Sequence, residues 1–255
     1  MIVVGCASDP GRVRPNNEDV CASLGPPTIA PGLDSVLVVA DGMGGYQAGE
    51  IASRIVVDQL LNWYSGRDRT QVGGDQADWK QDLVQALSQA NEAVRVAARS
   101  DPQRHGMGST VVVCLIEGDR LFVANVGDSR AYLIDGTDTY QLSRDHSWVA
   151  EQVRAGLLAA SEAPQHPQRN MLTRALGVTD DVEPDLGAFE LIPGEYLLLC
   201  SDGLYNVVHD HELARFVKEF REPTLIAARL IDAANKRGAP DNVTVVVARF
   251  LSDRD

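Results

Sequence analysis

The chain has 255 residues, with 36 Asp and Glu against 23 Lys and Arg, a formal net charge of −13. Such a surface repels nucleic acid and anionic membranes, so neither is expected as a partner. At 44% hydrophobic and 23% charged residues the composition is globular, which excludes a disordered or fibrous chain, and the length can bury a sizeable core.

The opening Met1–Cys6 superficially matches a lipoprotein cleavage box but lacks the basic and apolar segments that must precede one. Short β-branched runs predict strands over Ile2–Ala7, Asp19–Leu24 and Ser35–Ala40. Gln47–Tyr64 reads as a helix, and Ser65–Asp78, with three glycines and no period, as a surface loop. Leu83, Leu87, Ala90, Val94 and Ala97 repeat at helical spacing, which predicts an amphipathic helix over Asp78–Ser100. Strands follow at Ser109–Glu117, Leu121–Val126 and Ser129–Ile134, with hairpin-length turns at Glu117-Gly118-Asp119 and Asp135-Gly136-Thr137. Gly156–Asn170 is irregular, and after it come a strand at Tyr196–Cys200, helices at Asp210–Phe220 and Pro223–Arg237, and a last strand at Val243–Phe250. Turns this short require antiparallel pairing, because parallel neighbours need a crossover of a dozen or more residues. Strands in blocks and helices in pairs predict an α+β fold with helical layers on antiparallel sheet, in one domain over 1–255. No apolar run reaches the length of a membrane span. Cys6, Cys21, Cys114 and Cys200 contain no C-x-x-C pair, which fits free thiols in a reducing, cytoplasmic setting.

The placement of aspartates carries the chemical signal. Asp41, Asp128 and Asp202 each follow an apolar strand, and Asp241 directly precedes the last one. Any one of them reads as a turn residue. Four at the tips of separate strands repel one another and call for a compensating cation, and an all-oxygen donor set favours Mg²⁺ or Mn²⁺ over zinc. The loop from Gly42 through Gly44 to Ala48 loosely matches a dinucleotide fingerprint, but Asp41 would repel a bare pyrophosphate and the hairpins oppose the parallel sheet that an oxidoreductase of that kind needs. No phosphate loop of the G-x-x-x-x-G-K type is present. Arg14, followed by Glu18 and Asp19, places a planar cation suited to phosphate oxygens just before a strand.

Seven motifs then occur in order: Ser8-Asp9-Pro10-Gly11 through Asn17-Glu18-Asp19, Val39 to Gly45, Gly106 to Thr110, Ala124 to Arg130, Leu172 to Gly177, Ser201 to Leu204, and Asp241 to Thr244. Together they resemble the metal-dependent serine/threonine protein phosphatases of type 2C in their compact bacterial form. The resemblance implies a four-layer α-β-β-α sandwich, with two mainly antiparallel sheets flanked by helix pairs and a metal centre in a cleft at one end. It implies that Asp41 bridges two metal ions, that Gly42 offers its carbonyl to one, and that Asp202 and Asp241 hold the other. Asp128 matches a position that joins Asp202 at a third ion in bacterial relatives. Glu18 and Asp19 match acidic residues that orient water there, Arg14 matches the arginine that grips the substrate phosphate, and residues 146–170 match a flap beside the cleft. Where relatives often carry a histidine shortly after the Asp-Gly pair, this chain has Met43 and Tyr46. His146 is the histidine nearest a motif and the candidate to supply a proton instead. The implied activity is Mg²⁺- or Mn²⁺-dependent hydrolysis of phosphoserine and phosphothreonine in proteins, reversing a eukaryotic-like serine/threonine kinase, by a monomer. The competing reading is a catalytically silent phosphopeptide-binding module on the same fold, from which an intact set of acidic residues would distinguish it.

Overall fold

Strands that are apolar on both faces must be covered on both faces, and the chain meets that demand with stacked layers. A computed structural model describes residues 1–44, 48–65 and 78–251. Its strands are β1 (Ile2–Asp9), β2 (Asp19–Leu24), β3 (Ser35–Met43), β4 (Gly108–Ser109), β5 (Val111–Glu117), β6 (Arg120–Val126), β7 (Arg130–Ile134), β8 (Thr139–Gln141), β9 (Asp185–Glu190), β10 (Tyr196–Cys200) and β11 (Val243–Phe250). Its helices are α1 (Ala48–Tyr64), α2 (Trp79–Ser100), α3 (Trp148–Arg154), α4 (Asp202–Tyr205), α5 (Asp210–Phe220) and α6 (Pro223–Lys236).

One sheet runs β1-β11-β10-β7-β8 and the other β2-β3-β5-β6-β9, with β4 beside the end of β3. Every pairing between these strands is antiparallel, as the hairpins require. The period-two alternation of a strand sends its side chains into different layers. In β3, Val36, Val38 and Ala40 join Leu60, Leu83 and Leu87 of α1 and α2, whereas Leu37 and Val39 enter the core between the sheets. In β11, Val245 and Val247 meet Leu213, Ile226 and Leu230 of α5 and α6, whereas Val246 and Ala248 face the other sheet. The expected α+β sandwich with flanking helix pairs is therefore the observed one. Among the described residues no helix is long and apolar enough to cross a membrane.

Local chemistry sets the helix limits. Asp78 caps α2 by accepting from the N–H groups of Lys80 and Gln81, and Glu222 caps α6 by accepting from Leu225, with Pro223 in the first turn. The segment 146–170 that the resemblance makes a flap opens with α3, which Ser147 caps and which ends before the irregular stretch Gly156–Asn170. β3 runs on past Ala40 to Met43, because Gly42 and Met43 pair with β4. The strand expected over Ser109–Glu117 divides at Thr110, whose N–H turns to the Asp41 carbonyl. Apart from its two end residues, the loop expected over Ser65–Asp78 lies outside the described residues, as do Gly45, Tyr46 and Gln47.

Because neighbouring strands alternate in direction, the ends of β3, β6 and β10 gather with the beginnings of β2 and β11. All five acidic strand tips meet at one end of the sandwich.

Candidate active site

Asp19 opens β2 directly opposite Asp41 in β3. Asp128 follows β6, Asp202 follows β10 as the first residue of α4, and Asp241 stands two residues before β11. A cleft of about 380 Å³ at this end is lined by Arg14, Glu18, Asp41, Gly42, Asp128, Asp202 and Asp241. Asp19 is buried behind its wall. A larger cleft of about 730 Å³ opens at the opposite end, between Ile2, Leu24, Pro193 and Phe250, and Asp34 is the one ionisable side chain among the described residues that line it. Converging ionisable groups, rather than volume, make the smaller cleft the site.

Backbone is packed unusually closely beneath the acidic groups. The Gly42 N–H donates to the Glu18 carbonyl at 3.1 Å, and a side chain at Gly42 would collide with the carbonyls of Gly49 and Glu18. Glycine is thus the residue that lets β3, α1 and the Arg14–Glu18 loop meet. The Asp41 N–H donates to Thr110 Oγ1 at 3.1 Å, Thr110 Oγ1 lies 2.7 Å from Ser129 Oγ, and the Asp41 carbonyl accepts from Ser109 Oγ. Asn242 ties the loop to β11: its Oδ1 accepts from the Glu18 N–H at 2.8 Å, and its Nδ2 donates to the carbonyls of Pro10 and Asn16. The Asp128 carbonyl accepts from the Tyr205 hydroxyl at 3.1 Å.

The electrostatics are those of crowded anions with Arg14 as the one cation among the described lining residues. Burial, then Asp19, Asp202, Asp128 and Asp241, pushes the Asp41 carboxyl well above the usual range. Burial, then Asp128 and Asp241, does the same to Asp202. Asp128 is raised by burial and by Asp145, and Asp19 by burial against hydrogen bonds that oppose it. Glu18 is raised mainly by burial. Arg14 Nη2 sits 2.7 Å from Asp241 Oδ2, and this pairing raises the guanidinium further.

The donor set fits hard divalent cations: the anionic groups at the cleft are all carboxylates, and among the described lining residues there is no thiolate or imidazole, the one sulfur being the Met43 thioether. Asp19 adds a specific sign. Its Oδ2 accepts from Ser201 Oγ at 2.7 Å, while its buried Oδ1 has no hydrogen-bond partner among the described residues. Among the described residues no three such side chains close into a ready-made cage.

Of the sequence candidates, Arg14, Glu18, Asp41, Gly42, Asp128, Asp202 and Asp241 line the cleft, Asp19 is buried opposite Asp41, and His146 is behind the loop that carries Asp128. His146 is 1% exposed and does not line the cleft. Its Nδ1 accepts from the Gly127 N–H at 3.1 Å and its Nε2 lies 3.5 Å from Asp185 Oδ2, so it is not placed to protonate a group in the cleft. Met43 does line it, and Tyr46 lies outside the described residues. Sequence reasoning did not single out Thr110, Ser201 and Asn242 individually. Their signal was adjacency, since each stands within a motif already chosen for another residue.

The family model described as protein phosphatase 2C matches residues 10–152 and 183–243. The serine/threonine phosphatase Stp of Listeria innocua is 35% identical over 94% of this chain and 92% of its own length. The crystal structure of the serine/threonine phosphatase PstP/Ppp of Mycobacterium tuberculosis superposes with a TM-score of 0.86 at 36% identity, covering 98% of this chain and 99% of that one. The catalytic domain of PstP in complex with two manganese ions does so with a TM-score of 0.84 at 34% identity, over 98% and 99%.

Proposed function

The chain belongs to the protein phosphatase 2C family, as a serine/threonine protein phosphatase, and from that premise we propose how its cleft hydrolyses phosphoserine and phosphothreonine. The observation that carries the reading is the convergence of Asp41, Asp128, Asp202 and Asp241 on one cleft beside Arg14. Asp41 and the Gly42 carbonyl, with Asp202 and Asp241, would hold two divalent ions, Mg²⁺ or Mn²⁺, Asp41 serving both, and Asp128 with Asp202 would offer a place for a third. When bound, such ions polarise phosphoryl oxygens and lower the pKa of water, which is what a phosphate monoester dianion needs.

The protein's own groups do the rest. Arg14, free to turn from Asp241 because it is half exposed, clamps the phosphate oxygens by bidentate hydrogen bonding. Asp19 is fixed through Oδ2 by Ser201 and keeps Oδ1 to orient a water, with Glu18 beside it. The Ser201 Oγ in turn accepts from the Thr244 N–H at 3.0 Å, so Asp19 is braced by β11 itself. Residues 146–170 flank the cleft as a flap of the single domain 1–255. Substrates are phosphoproteins made by a kinase of the eukaryotic-like serine/threonine type, and the enzyme works as a cytoplasmic monomer. A silent binding module would not need this many carboxylates held against their mutual repulsion.

The test is phosphate release from a phosphothreonine peptide. It should require added Mn²⁺ or Mg²⁺, stop with chelator, and vanish in Asp41→Asn while the fold stays intact. Melting temperature should rise with Mn²⁺ by linkage, and less so in Asp241→Asn. Near-normal turnover in metal-replete Asp41→Asn, or a melting curve indifferent to Mn²⁺, would overturn the ligand assignment.

A further inference from the structure

Beside the catalytic cleft lies a second groove of about 280 Å³, and the two share Met43 and Leu172 as a common wall. Its floor is apolar, made by Met43, Leu172, Ala175 and Val182, with Val178 at its edge and 57% exposed. Gly108 makes room for this floor: a Cβ there would stand 2.7 Å from Met43 Cε and 3.0 Å from Val178 Cγ2, so the two side chains meet above bare backbone. The rim is acidic. Asp181 and Glu183 are exposed, and their carboxylates have no hydrogen bond or ion pair among the described residues.

The other charges around the groove are already paired. Asp180 is taken by Arg95. Arg174 is held 3.2 Å from Asp185 Oδ1 and 3.2 Å from the Glu183 carbonyl. The groove thus offers two free anions above an apolar floor, one wall away from the cleft. An acidic side chain would be repelled there, and a purely apolar one would leave both carboxylates unused. A long aliphatic stem with a cationic tip uses both parts, with the stem on Met43 and Val178 and the charge at the rim. Most of the groove, Leu172 to Val182, also falls in the stretch 153–182 that the family model leaves unmatched.

Resting on the phosphatase reading above, the geometry points to this groove as a substrate subsite that takes a lysine or arginine flanking the phosphorylated residue. It makes the enzyme selective for phosphoproteins modified within basic sequence. Asp181 and Glu183 act on binding of the flanking residue and touch no reacting atom.

The experiment compares kcat/KM of the Mn²⁺-loaded enzyme on phosphothreonine peptides in which a lysine, or a glutamate, is moved position by position through a neutral sequence. Hydrolysis of p-nitrophenyl phosphate, which has no flanking residues, is measured alongside. An exposed ion pair contributes up to about fivefold, so two carboxylates should favour lysine over glutamate by about tenfold at one register, less at high salt. Asp181→Asn with Glu183→Gln should remove that preference, and Asp181→Lys with Glu183→Lys should invert it, with p-nitrophenyl phosphate turnover unchanged in both. Equal kcat/KM for all peptides, or a preference that survives charge reversal, would overturn the subsite while leaving the phosphatase reading intact. No turnover of p-nitrophenyl phosphate by the wild-type enzyme would instead refute the catalytic reading beneath it.

Discussion

His146 sits nowhere near open solvent, yet three of its polar atoms hold the loops around the cleft. Its N–H donates to the Gly127 carbonyl at 2.9 Å, its ring Nδ1 accepts from the Gly127 N–H at 3.1 Å, and its carbonyl accepts from the Thr173 N–H at 2.9 Å. Gly127 is backed by the Thr110 side chain at φ +105° and precedes Asp128, so the ring pins the residue that aims Asp128 into the cleft. Removing the ring acceptor leaves the Gly127 N–H buried and unpaired, at a cost of about 1–3 kcal/mol. Two substitutions separate this bond from simple packing. In His146→Asn the amide oxygen stands near the place of Nδ1 and can accept from Gly127. In His146→Gln the amide reaches toward the place of Nε2 and Asp185 and fills more of the space, but leaves Gly127 without its acceptor. If volume decides, Gln is the better replacement; if the Gly127 bond decides, Asn is. We expect His146→Asn to unfold in urea about 1 kcal/mol later than His146→Gln, and His146→Gln to need several-fold more Mn²⁺ for half-maximal phosphate release. Gln equal to or better than Asn in both measurements would refute the latch.

The same bond fixes a pH dependence. Burial, then Arg174, lowers the His146 pKa from its ordinary 6.5, with Asp185 opposing. An imidazole that accepts at Nδ1 must be neutral there, and protonation would set N–H against N–H. The unfolded chain takes up this proton near pH 6.5 and the folded chain only at lower pH. Stability is therefore present in full above 6.5 and falls as the pH drops below it. His146→Asn lacks that limb, so the gap between the two proteins should narrow on acidification from pH 7.

Arg14→Ala should raise KM for phosphopeptides several-fold with kcat little changed, because a phosphate clamp serves ground and transition states alike; collapse of kcat at constant KM would place Arg14 in the chemistry instead. Glu212, 14% exposed at the start of α5, accepts from Arg237 Nη1 and Nη2 at 2.7 Å and from the His209 N–H at 3.1 Å. These bonds, the Arg237 pair first, lower its pKa from 4.5 to about 2. Its stabilisation, about 1 kcal/mol once solvent screening is discounted, is present above pH 4.5 and lost as the pH falls toward 2. Urea midpoints of wild type and Glu212→Gln should therefore differ at pH 7 and converge near pH 2, and a constant difference would refute the assignment.

What could be read in the sequence follows from how each part is buried. β3, β5, β10 and β11 are covered on both faces, so their sequences are near-continuous apolar runs that announce themselves. β9 is an edge strand with no fully buried residue, half-buried over Asp185 to Gly187 and part exposed after it, and with Gly187 in its middle it reads as loop. β4 has two residues and exists only because β3 lies beside it, and α3 is a helix of seven. No local window contains the reason for either. The acidic end was legible for a different cause: a carboxylate beside an apolar run is conspicuous, and antiparallel order brings alternate ends together whatever the loops do. The bonds that hold those carboxylates were not legible, because they join distant segments. Asn242 reaches Pro10 and Asn16, more than two hundred residues away, and Ser201 reaches Asp19 across the gap between the sheets. The division has a physical consequence. The anions repel one another and gain nothing from proximity in the metal-free fold, so proximity must be imposed by strands whose burial is strong enough to bear it. Asp202 and Asp241 hang from β10 and β11, at the centre of their sheet, and Asp41 from β3, flanked on both sides in its own. Of the edge strands, β1, β8 and β9 carry none of the cleft's carboxylates, whereas β2 opens with Asp19 just after Glu18, and that corner is tied down by Ser201 and Asn242 from the other sheet's side. An acidic cluster on an untied edge strand would relieve its repulsion by fraying that edge. On central strands, and on a β2 held by Ser201 and Asn242, the repulsion is relieved by a cation or by protonation, which is why burial and neighbouring carboxylates raise the carboxyl pKa of Asp41 and Asp202.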